Sequence, residues 1–352
     1  MKARERIMRT IAGEPVDRIP VDIWLTPEVL DSLKAHTGEE AEYDVYCKLD
    51  LDKIAWVSPE YDFADGIESN GIYRDPWGVS AKLVQSGAAT YLEFTDSPLG
   101  EMEEPEELED YPKWPVPERF MLENAVKQAK LSRQYGFATM GPWISHFEIY
   151  CRMRGLENAL MDVVAEPEFL EAGIERIDSI QTEMLKRFLK ELGDDLDIVL
   201  VSDDMGTQES QLMSIQHWRQ HFKPRMKAWC DLIHAHGKKV MFHSDGAARP
   251  FIPDLIECGI DILNPIQHVC PGMDRISLKQ EFGDRITFHG GIENQKVLPY
   301  GSVEDVREEV ITCLQTLGAD GGYIPCSCHN IQPGTPPENV ITMIETVQGW
   351  NA

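Results

Sequence analysis

The feature that most constrains the fold is a series of short apolar runs that begins near residue 135, most of them separated by enough residues for a helix. The runs are FATMGPW, DIVLVSDD, KVMFHSDG, IDILNP, ITFHGGI and GGYIPCSCHN, at 137–143, 197–204, 239–246, 260–265, 286–292 and 321–330. Apolar strands that alternate with helices are typical of a parallel sheet buried on both faces. Two earlier runs, at 18–24 and 53–58, bring the strand count near eight, which favours an α/β fold closed as a (β/α)8 TIM barrel.

The segment from about 60 to 120 departs from this alternation. Its first part, GIYRDPWGVSAKLVQSGAATYLEFTDSPL, alternates apolar and polar residues around turn residues, which predicts a hairpin excursion. The following EMEEPEELEDYPKWPVPE is acidic and rich in proline, which predicts an exposed connection. Because we find no internal repeat and no convincing linker, we expect residues 1–352 to form one barrel domain with this irregular excursion.

Composition disfavours several classes of partner. The formal net charge of -27, from 33 basic and 60 acidic residues, would repel a nucleic-acid backbone. No apolar run approaches the roughly 20 residues that span a bilayer, and the N-terminal MKARERIMRTIAGEPVDRIP predicts a short amphipathic helix instead of a signal peptide. Eight cysteines without a CxxC pair indicate a reducing, cytoplasmic setting. Phosphate-binding glycine loops and the GxSxG elbow are absent from the sequence, which disfavours nucleotide cofactors and serine hydrolysis.

Polar residues follow the apolar runs at the ends where a parallel barrel carries its active site. They are Asp203, Asp204, His243, Asp245, Asn264, His289, Gly290, Gly291, Cys326, Cys328 and His329. Each one alone could be a turn residue or a helix cap, but together they predict one site at one rim. Glu148, shortly beyond another run, could face the same rim or simply begin a helix.

Two kinds of chemistry suit these residue types. Histidines with carboxylates or thiolates from different strands could bind zinc, which accepts nitrogen, sulfur and oxygen ligands. The same groups could instead transfer protons without a metal, with Asp204 or Asp245 orienting an imidazole. The glycine pair in FHGGI permits close approach of a ligand or forms a tight turn. The residue types do not decide between these uses.

Four stretches resemble the uroporphyrinogen decarboxylase superfamily, in the expected order and over nearly the whole chain. They are EPVDRIPVDIW near the start, NPIQ at 264–267, FGDRITFHGGI at 282–292 and HNIQPGTPPENV at 329–340. That superfamily combines the decarboxylases with zinc-dependent, corrinoid-linked methyltransferases on a (β/α)8 barrel. The resemblance therefore implies the same fold, whereas one barrel can host either chemistry.

The methyltransferase branch is the closer resemblance. The decarboxylases grip the carboxylates of a tetrapyrrole with an arginine-rich N-terminal loop, and the corresponding IPVDIWLTPEVLDSL contains no arginine. The methyltransferases bind zinc through a His-any-Cys strand end and a later cysteine. Here His243 and Asp245 occupy the first place, and His329 aligns with the later cysteine. The resemblance implies zinc held by His243, His329 and either Asp245 or a cysteine such as Cys326, with Glu148 as a further candidate.

The resulting expectation is a cytoplasmic enzyme that moves a methyl group between a corrinoid protein and a small-molecule acceptor or donor, with zinc as Lewis acid. His243 and His329 would be ligands, Asp245 a ligand or an orienting carboxylate, and Asp204 a base or supporting partner. The residues expected to contact the substrate are Asn264, His289, Gly290 and Gly291. The alternatives are a metal-free decarboxylase in which His329 and an aspartate handle protons, and a non-catalytic carrier of a corrinoid or tetrapyrrole.

Overall fold

A computed structural model describes residues 1–62, 71–86 and 89–350 of the chain. The strands are β1 (Ile54–Trp56), β2 (Glu60–Tyr61), β3 (Ile72–Arg74), β4 (Ser80–Ser86), β5 (Ala89–Phe94), β6 (Phe120–Met121), β7 (Ala138–Ile144), β8 (Ile198–Ser202), β9 (Lys239–His243), β10 (Ile262–Asn264), β11 (Thr287–Ile292) and β12 (Tyr323–Ser327). The helices are α1 (Ala3–Ile11), α2 (Pro27–Thr37), α3 (Glu42–Lys48), α4 (Glu123–Tyr135), α5 (Phe147–Arg154), α6 (Leu156–Ala165), α7 (Pro167–Leu192), α8 (Ile215–His221), α9 (Lys223–Ala235), α10 (Ile252–Cys258), α11 (Arg275–Phe282), α12 (Val297–Tyr300), α13 (Val303–Thr316) and α14 (Pro337–Gln348). None of these helices is both long and apolar enough to cross a membrane.

Seven parallel strands form the main sheet, in the order β1-β7-β8-β9-β10-β11-β12. All six apolar runs downstream of residue 135 supply one strand each, and the run at 53–58 supplies β1. Such strands are almost fully buried because helices cover the outer face of the sheet while the inner face lines the barrel. The strand predictions for these runs are therefore confirmed.

The run at 18–24 was expected to be a further strand, and that prediction is wrong in detail. The run is extended but not a regular strand, because Pro20 has no N–H to donate and Ile54 N–H donates to the side chain of Asp22 (3.1 Å) instead of to a carbonyl. It nevertheless fills the gap between β12 and β1. On the β12 side, Asp22 N–H donates to Pro325 O (3.1 Å) and Ile331 N–H donates to Trp24 O (2.8 Å), and on the β1 side Asp52 N–H donates to Val21 O (2.8 Å). These bonds close the sheet, so the fold is the expected (β/α)8 TIM barrel.

The interior of the barrel is a separate apolar cluster. Its buried members are Ile7, Ile11, Trp24, Ile54, Ala138, Met140, Ile198, Leu200, Met241, Ile262, Ile324 and Cys326. Two of them belong to α1, the predicted amphipathic helix, which covers the end of the barrel where the strands begin. The opposite end, where the strands finish, is therefore the end available for a site.

The excursion agrees with its prediction in one part and departs from it in another. Strands β3, β4 and β5 form an antiparallel sheet, which confirms the hairpin, although residues 63–70 and 87–88 of the predicted excursion lie outside the described residues. The acidic connection was predicted to be exposed, but Leu108, Tyr111 and Trp114 are buried. Tyr111 donates to Trp77 O (2.7 Å), because its aromatic ring packs in the core while its hydroxyl still needs an acceptor.

Candidate active site

A cavity of about 230 Å³ lies at the carboxyl ends of the barrel strands. Its lining residues are Trp24, Trp56, Trp143, Glu148, Leu200, Ser202, Asp204, His243, Asp245, His329 and Asn330. Five residues singled out from the sequence are thus brought to one cavity, namely Glu148, Asp204, His243, Asp245 and His329. They come from four separate segments of the chain, since His243 and Asp245 both belong to the end of β9, and each segment follows a strand of the barrel.

The tightest group in this cavity consists of Asp204, His243 and Asp245, each of which offers one metal-binding atom within 4.8 Å of the other two. His243 ends β9 and stands opposite Ser202 at the end of β8, so the residues that follow both strands emerge side by side. Asp245 N–H donates to Asp204 Oδ1 (2.8 Å), which ties the two strand-end segments together. The ring of His329 lies 6.4 Å from that of His243 between centroids.

Negative charge dominates this cavity. Burial raises the pKa of Asp245, while His243 opposes that rise and Asp204 adds to it. Burial and the neighbouring Asp204 also raise the pKa of Glu148, although its hydrogen bond from Ser202 and its ion pair with Arg152 (3.2 Å) favour the ionised form. The raised pKa values of Asp245 and Glu148 reflect burial and repulsion from Asp204, so ionisation of all three carboxyls would leave uncompensated negative charges. A divalent cation would balance them.

One oxygen in this group has no hydrogen-bond partner. Asp245 Oδ1 is buried, and nothing in the described part of the chain donates to it. A buried carboxylate oxygen left unsatisfied is costly, so such an atom in a native protein indicates an ion, a water or a ligand that completes it. Its position beside Asp204 and His243 makes a metal ion a suitable partner.

Asp203, the strand-end neighbour of Asp204, is fully buried and supports the site from behind. Its carboxylate accepts hydrogen bonds from Ser145 Oγ (2.7 Å) and Phe147 N (2.6 Å), so it caps the first turn of α5. Because α5 carries Glu148, this cap determines where that carboxylate enters the cavity. Burial raises the pKa of Asp203 to about 7.

Asn264 and His289, expected to contact substrate, are fully buried and stand behind His243 instead of lining the cavity. His243 Nδ1 lies 2.6 Å from Asn264 Oδ1, and Asn264 Nδ2 lies 2.7 Å from His289 Nδ1. Beyond them, His289 Nε2 lies 3.1 Å from Asp22 Oδ2. These residues form a buried polar layer beneath the cavity floor.

Gly290 and Gly291, also expected to contact substrate, are buried in β11 and are not among the lining residues of the cavity. A Cβ added at Gly290 would come within 3.3 Å of Pro265, and one added at Gly291 would come within 2.9 Å of Leu317. In the structure, therefore, the glycine pair permits close packing between elements.

Cys326, expected as a zinc ligand beside His243, lies in a different cluster. Its thiol sits in the barrel interior with Asp22 and His289, all three fully buried and within 4.8 Å of one another. Burial, with a smaller contribution from Asp22, raises the pKa of this thiol far above its ordinary value. The structure thus groups carboxylates, and not Cys326, with His243.

The apolar side of the cavity contains residues that sequence reasoning missed. Trp24 and Trp56 lie 5.5 Å apart between ring centroids, and Trp24 stacks on His243 at 6.0 Å. Trp24 is the last residue of the apolar run at 18–24 and Trp56 is the last residue of β1, so a search of the strand ends that included aromatic residues would have found both. They give the cavity an apolar wall in addition to its carboxylates and histidines.

A second cleft of about 610 Å³ adjoins this cavity and shares Glu148 and Asp204 with it. Its outer side is formed by residues 94–97 at the end of β5 and its inner side by α5 and the start of α6. The antiparallel excursion therefore forms part of the approach to the barrel mouth.

Comparison with known proteins gives three further findings. The uroporphyrinogen decarboxylase (URO-D) family model matches residues 87–350. A solved methyltransferase from Methanosarcina mazei shares the fold, with a TM-score of 0.69 and 18% identity over 99% of this chain and 98% of that one. The uroporphyrinogen decarboxylase of Pseudoalteromonas translucida (strain TAC 125) is 30% identical over 74 residues, which span 21% of this chain and 20% of that protein.

Proposed function

Because the chain belongs to the uroporphyrinogen decarboxylase family, we propose that it is a zinc-assisted enzyme that moves a methyl group between a corrinoid protein and a small molecule. The observation that carries this proposal is the convergence of Asp204, His243 and Asp245 on one point of the cavity, with Asp245 Oδ1 buried and unpartnered. The closer resemblance of the sequence to the methyltransferase branch supports the same choice.

The donor atoms of the site fit zinc. Imidazole nitrogen and carboxylate oxygen are both zinc ligands, and a catalytic zinc site uses three protein ligands and keeps a further position open. Asp204, His243 and Asp245 would hold the ion, while His329 and Glu148 face the same cavity. When bound there, zinc supplies a Lewis acid that polarises a group coordinated to it.

The other residues of the cavity suit a small methylated compound. Trp24, Trp56 and Trp143 supply an apolar wall against which a methyl-bearing group can pack. The carboxylates line the same cavity, so a substrate would lie with its methyl-bearing part on the tryptophans and its heteroatom toward the carboxylates. We propose that the larger adjoining cleft, beneath the excursion, is where the corrinoid approaches.

Metal analysis of protein purified without an affinity tag tests the zinc site. We expect about one zinc per chain in the wild type and its loss in His243→Ala and in Asp245→Ala. His36→Ala is the matched control, because His36 lies exposed in α2 and does not line the cavity. Wild-type protein without zinc, or variants that retain it, would contradict the proposed metal site.

Methyl transfer is tested separately with methylcobalamin as the probe and a panel of small thiols, amines and hydroxyl compounds as acceptors. Loss of the methylcobalamin absorbance should require the zinc-loaded wild type and should be abolished by His243→Ala. Tight corrinoid binding without turnover, unaffected by His243→Ala, would instead favour a non-catalytic carrier.

Decarboxylation is the second candidate, because a stretch of the chain is 30% identical to a uroporphyrinogen decarboxylase. The charge of the cavity disfavours it, since the residues lining the 230 Å³ cavity include three carboxylates and neither lysine nor arginine. Such a site should repel a polycarboxylate. Incubation with uroporphyrinogen and separation of the products by chromatography tests this candidate, and robust release of carbon dioxide would replace the methyl-transfer proposal.

A further inference from the structure

The buried polar layer beneath the cavity is a continuous chain of hydrogen bonds that ends on His243. Its members, in order from the inside, are Lys53, Asp22, His289, Asn264 and His243, and the successive contacts are 3.1, 3.1, 2.7 and 2.6 Å long. Asp22, Asn264 and His289 are fully buried, so no solvent competes for these bonds. Each bond in such a chain needs one donor and one acceptor.

The direction of every bond follows from Asp22. Its Oδ1 accepts from Lys53 Nζ and from Ile54 N–H, both at 3.1 Å, and the Lys53 ammonium favours the ionised form of Asp22, which can only accept. Burial alone would raise the pKa of Asp22, but the Lys53 ammonium and the hydrogen bond from His289 outweigh burial and hold that pKa below the ordinary value. Asp22 Oδ2 must therefore accept a hydrogen bond that His289 Nε2–H donates.

The remaining bonds are then determined one after another. Asn264 presents its Nδ2, which can only donate, to His289 Nδ1 at 2.7 Å, so this nitrogen accepts and the ring carries its proton on Nε2. The carbonyl oxygen of Asn264 consequently faces His243, whose Nδ1 must donate to it. The lone pair of His243 is left on Nε2.

We infer that Asn264, His289 and Asp22 are positioning residues that hold His243 in the Nδ1–H tautomer and leave Nε2 as the only lone pair the ring can offer to the cavity. A metal-binding histidine commonly has its second nitrogen tied in this way, and loss of that partner typically weakens metal binding 10–100-fold. The role of the lone pair in zinc binding rests on the proposed function, whereas the tautomer does not.

The donor and acceptor assignments of these hydrogen bonds also argue against a second metal ion at the inner cluster of Asp22, His289 and Cys326. The ligand atoms of this cluster nevertheless lie within 4.8 Å of one another. Both ring nitrogens of His289 are already used, one to accept and one to donate. The Lys53 ammonium already occupies Asp22 and would repel a cation. We therefore assign Asp22 and His289 a role in orienting His243 through Asn264, and not in binding a metal ion.

Nitrogen NMR of metal-free protein labelled with 15N-histidine, at a pH where the rings are neutral, reads the tautomer directly. We expect a protonated Nδ1 and an unprotonated Nε2 for His243, assigned by comparison with His243→Ala. In Asn264→Ala this preference should disappear. In Asn264→Asp it should persist, because the aspartate still offers an acceptor oxygen to His243.

Zinc affinity, measured by competition with a chromophoric chelator, should fall 10–100-fold in Asn264→Ala. Asn339→Ala is the matched control, because Asn339 is equally buried and donates two hydrogen bonds to Leu298 O and Gly301 O outside the site. It should change neither the tautomer of His243 nor zinc affinity.

A wild-type His243 protonated on Nε2, or an Nδ1–H preference that survives Asn264→Ala, would overturn the inference. So would an Asn264→Asp protein that behaves like Asn264→Ala. Failure of the proposed function is distinguishable, because it would appear as a fixed tautomer in a protein that binds no zinc.

Discussion

Replacing Gly246 by alanine tests how the two acidic strand-end segments are held together. Gly246 follows Asp245 and has a φ of 79°, a left-handed conformation that costs an alanine about 1–2 kcal/mol. A Cβ there would also come closer than 3.0 Å to Thr207 O, a backbone atom that cannot rotate away. Relieving such an overlap costs a further ~1–3 kcal/mol. We therefore expect Gly246→Ala to lose about 2–5 kcal/mol of the free energy of unfolding.

The overlap should also disturb the site, because the clash falls on the contact that brings the carboxylates together. Ala247 N–H donates to Thr207 O (2.9 Å), one step beyond the bond between Asp245 N–H and Asp204 (2.8 Å). Moving the segments apart separates Asp204 from Asp245. Zinc affinity should therefore fall at least tenfold, which corresponds to about 1.4 kcal/mol of binding free energy.

The matched control is Gly237→Ala. Gly237 has a φ of 69° and no atom within 4 Å of an added Cβ, so it carries the conformational cost without the overlap. Urea denaturation of both metal-free variants isolates the overlap as their difference, and chelator competition measures zinc. If Gly246→Ala is no less stable than Gly237→Ala and binds zinc like the wild type, this contact does not position the carboxylates.

Three further predictions concern charge. Burial raises the pKa of Asp203 to about 7, so between about pH 4 and pH 7 the folded protein holds a proton that the unfolded chain has lost. The free energy of unfolding of the wild type, measured with urea relative to Asp203→Asn, should therefore fall by up to about 4 kcal/mol as pH rises through this range. Asp52→Ala should cost about 3–5 kcal/mol, because it leaves the buried Arg6 of α1 without its fully buried partner. Asp50→Asn removes a charge at the exposed end of that network and keeps a residue type that tolerates the left-handed backbone there (φ 46°), so it should cost less than about 1 kcal/mol. Zinc at 100 times its dissociation constant should stabilise the wild type by about 2.7 kcal/mol and leave Asp245→Ala unchanged.

The outline of the fold and the place of the site could be predicted because both depend on local pattern. A strand buried on both faces is recognisable as a short apolar run, and parallel strands in a barrel all end at one rim. Glu148, Asp204, His243, Asp245 and His329 could therefore be gathered at one cavity without knowledge of the register. Membership of the family, expected from the sequence, is confirmed by a family model that covers most of the chain.

What could not be predicted depends on depth and on tertiary packing. Cys326 and His243 both end strand runs, but the stagger of the strands places Cys326 within the barrel interior and His243 at its mouth. The prediction that the acidic connection is exposed is wrong for a different reason. It was based on average composition, which gives no weight to Tyr111 and Trp114, whose rings are buried. Neither stagger nor the burial of isolated aromatics is contained in local pattern.

The donor-to-acceptor direction of the buried hydrogen bonds beneath His243 bears on the choice between metal-assisted and metal-free chemistry. With the proton of His243 on Nδ1, the Nε2 lone pair is left to the cavity alongside the carboxylates of Asp204 and Asp245. When the two carboxyls are ionised these groups are all acceptors, and their convergence in the cavity is unfavourable unless a positive charge lies between them. A single proton on Nε2 would satisfy only one contact at a time, whereas one divalent ion can contact the ring and both carboxylates together. The arrangement of donors beneath the cavity therefore supports the metal-assisted proposal over proton transfer by histidine alone.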